Sequence, residues 1–378
     1  MLFHNTLESR ETLIKTTWIL LAVAINAMEF FIPRIPFFPW LKPGLANCIT
    51  IIWIVEFGVV DAILFTLLRI WITGFYFGFS FLTISLSLSG GLCSTAIMGL
   101  LWLTLGKRGI SGAIGTGIVG ALVHNITQIA VIYFLFAKNT HIFYQVPLMI
   151  FASVVFGGIT GAIAPALLNF LINAQKRFDI ELANPSLPQN ITMKETVLPI
   201  VLLAASCAIV FVNSMAALAL CAIASTVFVQ ALSPAPLKGI MRPLTRFWIM
   251  FVFIALVYLF LSYGTKIEGL PFLTYEGVRL TVMQWLRLWT WLELSFILTH
   301  FKFHNVVLHI LKKAFPNHKS ALYAGILSLE YFPAALSAIQ RKFSWYIAIR
   351  ILRHPFVGMR NGLEYLYREV IGLIAKTS

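Results

Sequence analysis

Charge is what this chain has least of. Only 11% of its 378 residues are charged, against about 25% in an ordinary soluble chain. Acid is scarcest, with two isolated aspartates, Asp61 and Asp179. A Mg²⁺ site of the aspartate-rich kind needs clustered carboxylates, so that chemistry is excluded. No Gly-rich loop with G-K-[ST] is present, and no G-x-S-x-G, H-E-x-x-H or Ser/His/Asp set, so the chain is not expected to be an enzyme or to hydrolyse ATP by itself. The four cysteines, Cys48, Cys93, Cys207 and Cys221, lie in apolar runs without C-x-x-C spacing. They read as core thiols, with no disulfide framework and no metal site. The first apolar run is not followed by a small-residue cleavage site, so it is read as a span and not as a signal peptide.

What is present is apolar bulk. Hydrophobic residues make up 59% of the chain, with 32 Phe and a mean hydropathy of +0.88. This excludes a cytosolic enzyme, a secreted disulfide scaffold and a disordered chain, and it predicts an all-α polytopic membrane protein. The net charge of +14 comes from short loops and the C-terminal stretch, where residues 301–378 hold eleven Lys/Arg against three Glu. Such clusters face anionic lipid rather than nucleic acid.

A span takes about 20 apolar residues. Ten are expected, at 16–32, 44–58, 62–78, 81–105, 110–136, 146–173, 196–212, 215–231, 247–263 and 277–299. With the N-terminus inside, most Lys and Arg fall in inner loops, such as Lys107 with Arg108 and Lys176 with Arg177, as the positive-inside rule requires. The longest polar stretch between spans, 175–195, contains Pro185 and Pro188 and suits a linker. The expected domains are therefore 1–174 and 196–378, six spans then four. Residues 301–315 read as a short amphipathic helix. Residues 319–340, interrupted by Glu330 and Pro333, are either an eleventh span or a surface helix.

Several intramembrane polar groups stand out. Residues 115–120 match G-x-G-x-x-G formally, but inside an apolar helix the small residues serve close helix packing. Gly74/Gly78 and Gly157/Gly161 read the same way. His124 and Gln128 share a face with Gly117 and Ala121, and either bind a ligand or serve packing. Arg69 sits mid-span and needs a partner or a wet cavity. Glu29 and Glu56 are candidate partners, and an anion-binding role is equally open. Ser85, Ser87 and Ser89 before Gly90-Gly91 imply either an unwound stretch or a Ser-rich packing face. Arg287 among Trp285, Trp289 and Trp291 suggests cation–π packing.

The stretches KPGLANCITII (42–52), FTLLRIWITG (65–74), SLSGGL (87–92), LGKRGISGAIG (105–115) and GALVHNITQ (120–128) resemble the Gx transporter family, also labelled heptaprenyl diphosphate synthase component I, over residues 29–136. That family is similar to the six-helix substrate-binding S components of energy-coupling factor transporters. Residues 197–343 resemble the T component of those transporters more weakly, through ALSPAPLKGIMRP (231–243), FLTYEGVRLTVMQWLRLW (272–289), SFILTHF (295–301) and LEYFPAALSAIQRKF (329–343). There the resemblance implies coupling helices that dock on ATPase subunits through Ala-Arg-Gly motifs. This chain carries Ala338, Gln340, Arg341 and Lys342 in that place, so Arg341 would stand in for the family arginine, and the motif itself is absent.

The expectation is a transport component of the bacterial inner membrane with its N-terminus in the cytoplasm. A six-helix S-component-like bundle precedes a four-to-five-helix T-component-like module with cytoplasmic or interfacial coupling helices. The first module binds a small amphipathic, isoprenoid-like or vitamin-like molecule through Arg69, His124, Asn125 and Gln128, with Asn47 as a further contact. Glu330, Gln340, Arg341 and Lys342 form the coupling surface for ABC-type ATPase subunits on separate chains. No cofactor and no nucleic acid are expected. The alternative is a non-catalytic membrane subunit linked to prenyl-quinone metabolism or flavin-based extracellular electron transfer. Prenyl synthase chemistry binds diphosphate through aspartate-held Mg²⁺, which two isolated aspartates do not provide.

Overall fold

A computed structural model describes residues 2–31, 44–77, 81–109, 112–137, 140–175, 193–232, 264–301 and 303–342, with scattered positions between 241 and 259. The helices are α1 (Leu2–Phe31), α2 (Asn47–Phe57), α3 (Val59–Phe77), α4 (Phe81–Leu101), α5 (Ala113–Ile132), α6 (Val146–Gln175), α7 (Met193–Ala208) and α8 (Met215–Leu232), then α9 (Tyr275–His300), α10 (Phe303–Ala314) and α11 (Lys319–Lys342). Five described segments are long and apolar enough to cross a membrane: Val59–Tyr76, Ile84–Gly106, Ala113–Leu135, Ile142–Asn173 and Met215–Leu232. The chain is a multi-pass helical membrane protein.

The second expected span is not one. α2 has 11 residues, about 16 Å of helix, which is short of a bilayer core of about 30 Å. Gly58 stops it at φ +88°, a conformation glycine adopts without strain, and α3 begins at the next residue. One residue thus replaces the expected loop at 59–61. Asp61 falls in the first turn of α3, where the helix dipole favours an acid.

The Ser-rich stretch is a continuous helix, not an unwound one. Ser89 donates to the Ser85 carbonyl at 2.5 Å, and Thr66, Ser94, Thr116 and Ser153 bond back to preceding carbonyls in the same way. Each such hydroxyl is satisfied inside its own helix, as an apolar surround demands. α5 and α6 pack backbone to backbone. A Cβ at Gly117 would strike the Gly157 carbonyl, and one at Gly161 would strike that of Ala113. The formal nucleotide motif is therefore a helix-packing surface. Cys48 is buried, but Cys93 is exposed on α4, which corrects its reading as a core thiol.

The largest core joins the two ends of the chain. Trp18, Ile19 and Leu20 of α1, Trp53 of α2 and Phe65 and Leu68 of α3 share it with Val306 and Leu308 of α10 and with Ala321, Leu322, Leu327 and Phe332 of α11. α11 runs alongside α3. Its first turn meets the Asp61 end, where His318 Nδ1 lies 2.7 Å from Asp61 Oδ1. Eleven residues on, the Leu329 carbonyl accepts from the Tyr76 hydroxyl, and the Phe332 ring lies tilted against that of Tyr76, 4.7 Å between centres. Pro333 lies inside α11 without ending it. Lys319–Lys342 is not among the described segments long and apolar enough to cross a membrane.

A second, smaller core gathers Ile209, Leu218, Met283, Trp291, Leu294 and Ile297. α9 organises it through side-chain hydrogen bonds. Trp285 donates to the Phe251 carbonyl at 2.9 Å, Trp289 to Thr226 Oγ1 at 2.9 Å and Trp291 to the Ser206 carbonyl at 3.0 Å. Arg287 donates to the Val212 carbonyl at 2.7 Å, so a carbonyl partner takes the place of the expected cation–π contact. Before α9 stands one β-hairpin, β1 (Lys266–Ile267) and β2 (Leu270–Thr274), antiparallel with Lys266 opposite Thr274. Gly269 at φ +82° makes the tight turn between them, the one departure from an all-α chain among the described residues. Of the expected linker at 175–195, residues 176–192 lie outside the described residues and 193–195 open α7; about half of the expected span at 247–263 lies outside them too.

Candidate functional site

Three helices meet around a polar spine. Arg69 is buried in the middle of α3, with 5% of its surface exposed. Its two terminal nitrogens each lie 3.5 Å from Asn47 Oδ1 at the start of α2. Its guanidinium carbon stands 5.7 Å from the centre of the Phe65 ring. Thr73 donates to the Arg69 carbonyl at 2.8 Å, and Asn26 of α1 reaches Thr73 Oγ1 at 3.5 Å. Of the carboxylates expected to pair with Arg69, Glu56 is exposed and the side chain of Glu29 lies outside the described residues.

α2 adds two donors. Thr50 Oγ1 and Trp53 Nε1 are buried and meet no hydrogen-bond partner among the described residues. With Asn47 they recur every three residues along α2. Trp53 stacks on Phe65 with 4.3 Å between ring centres. Buried donors in folded proteins nearly always find acceptors, so two of them in one place mark a region that sequence reading did not single out.

The remaining predicted contacts lie across α4. Gly91 abuts Ile70 and Thr66 of α3, while Gly90 abuts His124 and Gln128 of α5. A Cβ at Gly90 would come within 2.9 Å of His124 Nδ1, so His124 packs directly on the bare helix backbone. Gln128 is buried beside it. Asn125 turns the other way and donates to Ser153 Oγ on α6 at 2.9 Å. The glycine pair thus stands between the Arg69–Asn47 group and the His124–Gln128 group, and Asn125 belongs to the α5–α6 contact.

A second constellation escaped the sequence reading. Lys15 of α1, with 1% of its surface exposed, lies 2.7 Å from both Asp61 Oδ2 and Glu11 Oε1. It donates to Ser320 Oγ at 3.1 Å, and Ser320 donates to Glu11 at 3.0 Å. Asp61 Oδ1 meets His318. Lys15 also stands 4.7 Å above the Phe57 ring. These residues are up to 309 positions apart, so no local motif announces them. The available signal was that one of only two aspartates opens an apolar helix.

The proposed coupling residues are placed unequally. Glu330 is exposed on α11 beside Leu329, at the Tyr76 end of α3. Gln340, Arg341 and Lys342 continue the same helix, and their side chains lie outside the described residues. At the Asp61 end, α10 presents His309, Lys312 and Lys313 outward and buries Val306, Val307, Leu308 and Leu311.

Residues 18–167 match the sequence model of the family described as heptaprenyl diphosphate synthase component I. The match covers α2–α5, the C-terminal part of α1 from Trp18 and most of α6. No curated protein and no solved structure matches the chain.

Proposed function

We propose that the protein is a transport component of the bacterial inner membrane, with its N-terminus cytoplasmic and an S-component-like receptor formed by the helices before residue 175. The receptor binds a small amphipathic molecule between its helices. Arg69 and Asn47 contact its polar group, with Thr50 and Trp53 as further donors beside them. His124 and Gln128 stand on the other side of the Gly90-Gly91 pair, and Asn125 steadies α5 on α6. The observation that carries this reading is a buried arginine held by an amide, beside two buried donors without an acceptor among the described residues, within the segment that matches the family. Such a cluster suits a molecule with an acceptor-rich head and an apolar body.

α7, α8 and α9 act as the mechanical partner, while α10 and α11 share the core of α1–α3. In this reading α10 and the turn at 315–319 form the cytoplasmic face that engages separate ATPase subunits. Lys312 and Lys313 belong to that face. Glu330, Gln340, Arg341 and Lys342 are left out of it, because α11 carries them away from the Asp61 end. The chain itself is non-catalytic.

The test has two parts. Mass spectrometry of the purified chain identifies the co-purifying small molecule, and its occupancy falls at least tenfold in Arg69→Ala. ATP-dependent uptake of that molecule by vesicles containing the chain and its native partners is abolished by Lys312→Glu with Lys313→Glu. Wild-type-level occupancy in Arg69→Ala removes the site, and uptake that needs no ATP removes the energised mechanism.

A second reading rests on the description of the matched family. A non-catalytic subunit serving prenyl-quinone synthesis or extracellular electron transfer would hold a quinone or prenyl chain in the same helices. Quinone in the lipid extract of the purified protein, without ATP-dependent uptake, selects it.

A further inference from the structure

The cluster at the Asp61 end joins a buried ion pair to an imidazole that reaches solvent. Lys15 balances Asp61 inside the protein, while the Glu11 carboxylate is 46% exposed and screened by water. The second oxygen of Asp61 faces His318, and a protonated imidazole gives it a charge-assisted bond where a neutral one gives an ordinary bond. Buried charges are tolerated only when paired. Lys15 and Asp61 are shielded from water, with side-chain exposures of 1% and 9%, but the His318 side chain is 29% exposed. A solvent proton therefore has a route to the imidazole.

Beside Glu11 and Lys15 of α1 and Asp61 of α3, the remaining charged groups on the neighbouring segments are exposed, and water screens them. Among them are Arg10 of α1 and Lys319 of the ring's own turn. The nearest aromatic neighbour, Phe315, stands edge-on at 6.2 Å. Histidine is the side chain that ordinarily changes charge between about pH 5 and pH 8.

His318 also stands where α11 begins. Its amide donates to the Phe315 carbonyl at 3.2 Å, and its carbonyl accepts from Leu322 at 3.3 Å. Its grip on Asp61 thus sets the first turn of α11 against α3. The seam above mixes small and polar groups with Leu322, Leu327 and Phe332. Ala321, Ala324 and Gly325 face it, Ser328 donates to the Thr16 carbonyl at 3.3 Å, and Leu68 touches the Gly325 backbone. An apolar void of about 10 Å³ lies between Leu68, Trp71 and Leu308.

We propose that His318 is a proton-operated latch: protonated, it clamps the α10–α11 turn to Asp61, and neutral, it lets α11 part from α1 and α3 more often. The linked event is a local opening of α11, not unfolding of the bundle.

Amide exchange of the full-length protein in lipid nanodiscs tests this, read on α11 between about pH 5.5 and pH 8 and corrected for intrinsic exchange rates. α5 serves as the internal reference. Opening of α11 is expected to be about tenfold rarer at the acidic end, the worth of a charge-assisted bond over a neutral one. His318→Gln flattens the profile while keeping the far-ultraviolet spectrum and the α5 protection of wild type. Asp61→Asn gives frequent opening at both ends of the range. A wild-type profile without pH dependence overturns the proposal, and so does a dependence that survives in His318→Gln.

Discussion

The two cores of this protein solve the same problem with different chemistry. At the Asp61 end of α1, α3 and α11, buried charge is neutralised by charge. Lys15 sits between Asp61 and Glu11, and the helix that completes the cluster comes from the far end of the chain. Around α9, polar side chains are satisfied by backbone and hydroxyl acceptors. Three indoles and one arginine reach carbonyls or a threonine, and no described ion pair lies there. An ion cluster is lost as a unit when one member goes, because the others remain buried and unpaired. A set of separate hydrogen bonds is lost one at a time, at about 1 kcal/mol each. The first region should be brittle and the second graded.

The sharpest break in that contrast comes from Asp61→Ala. It leaves Lys15 buried beside a single, partly exposed carboxylate, and about 3–5 kcal/mol of stability should be lost. Thermal unfolding in detergent measures it. The double change Lys15→Met with Asp61→Leu should recover most of the loss, since an apolar pair of similar size carries no desolvation cost. If the double variant is no better than Asp61→Ala, charge pairing is not the source of the brittleness.

Next in size is Gly157→Leu. A side chain there meets the backbone of Gly117 and Ile118, so α5 and α6 must separate, at about 1–3 kcal/mol or more. The same assay should show a loss for Gly157→Leu and little change for Gly158→Leu, whose Cβ meets nothing within 4 Å.

Graded behaviour around α9 predicts a smaller effect. Trp289→Phe and Trp291→Phe should each cost about 1 kcal/mol, with Trp291 the larger because its bond to Ser206 is buried. The two losses should add within a few tenths. Strong non-additivity would mean that α9 is a network like the Asp61 cluster.

The smallest effect concerns Glu276, which is exposed at the start of α9. A hydrogen bond from its own backbone amide, then bonds from the Thr265 hydroxyl and amide, hold its carboxyl below the usual glutamate value of 4.5 against a modest opposing effect of desolvation. A depressed acid adds stability above its unfolded value and loses it as pH falls through the folded one. Amide exchange in the hairpin at 266–274 should therefore quicken on acidification below the usual glutamate range. Glu276→Gln should remove that dependence.

Much of the fold is written locally. α3, α4, α5, α6 and α8 are apolar runs of span length, and their described limits follow the hydropathy closely. Gly117 and Gly157 announce a close contact by spacing alone. The shortness of α2 was harder to see. Its eleven residues read as part of a span because nothing in KPGLANCITII marks where the chain turns inward, and Gly58 reveals itself only through its backbone angle. The docking of α11 had no local sign at all. Glu330 and Pro333 argue against burial when read in sequence, yet Ala321, Ala324 and Ser328 face α1 on the opposite side of that helix. Of the site, Arg69 was legible because a cation in an apolar run demands an explanation. Asn47 was legible only through the family resemblance. Lys15, Asp61 and His318 were not, since their pairing spans almost the whole chain.

The account stands on α11 completing the N-terminal helical body. Spin labels at Arg10 and Lys319, two exposed positions flanking the Glu11–Ser320 contact, read this directly in the full-length protein in nanodiscs. A single narrow distance distribution at the short end of the measurable range is predicted, broadening when Asp61→Ala is introduced. A broad or long-distance distribution in the otherwise unaltered protein would contradict it.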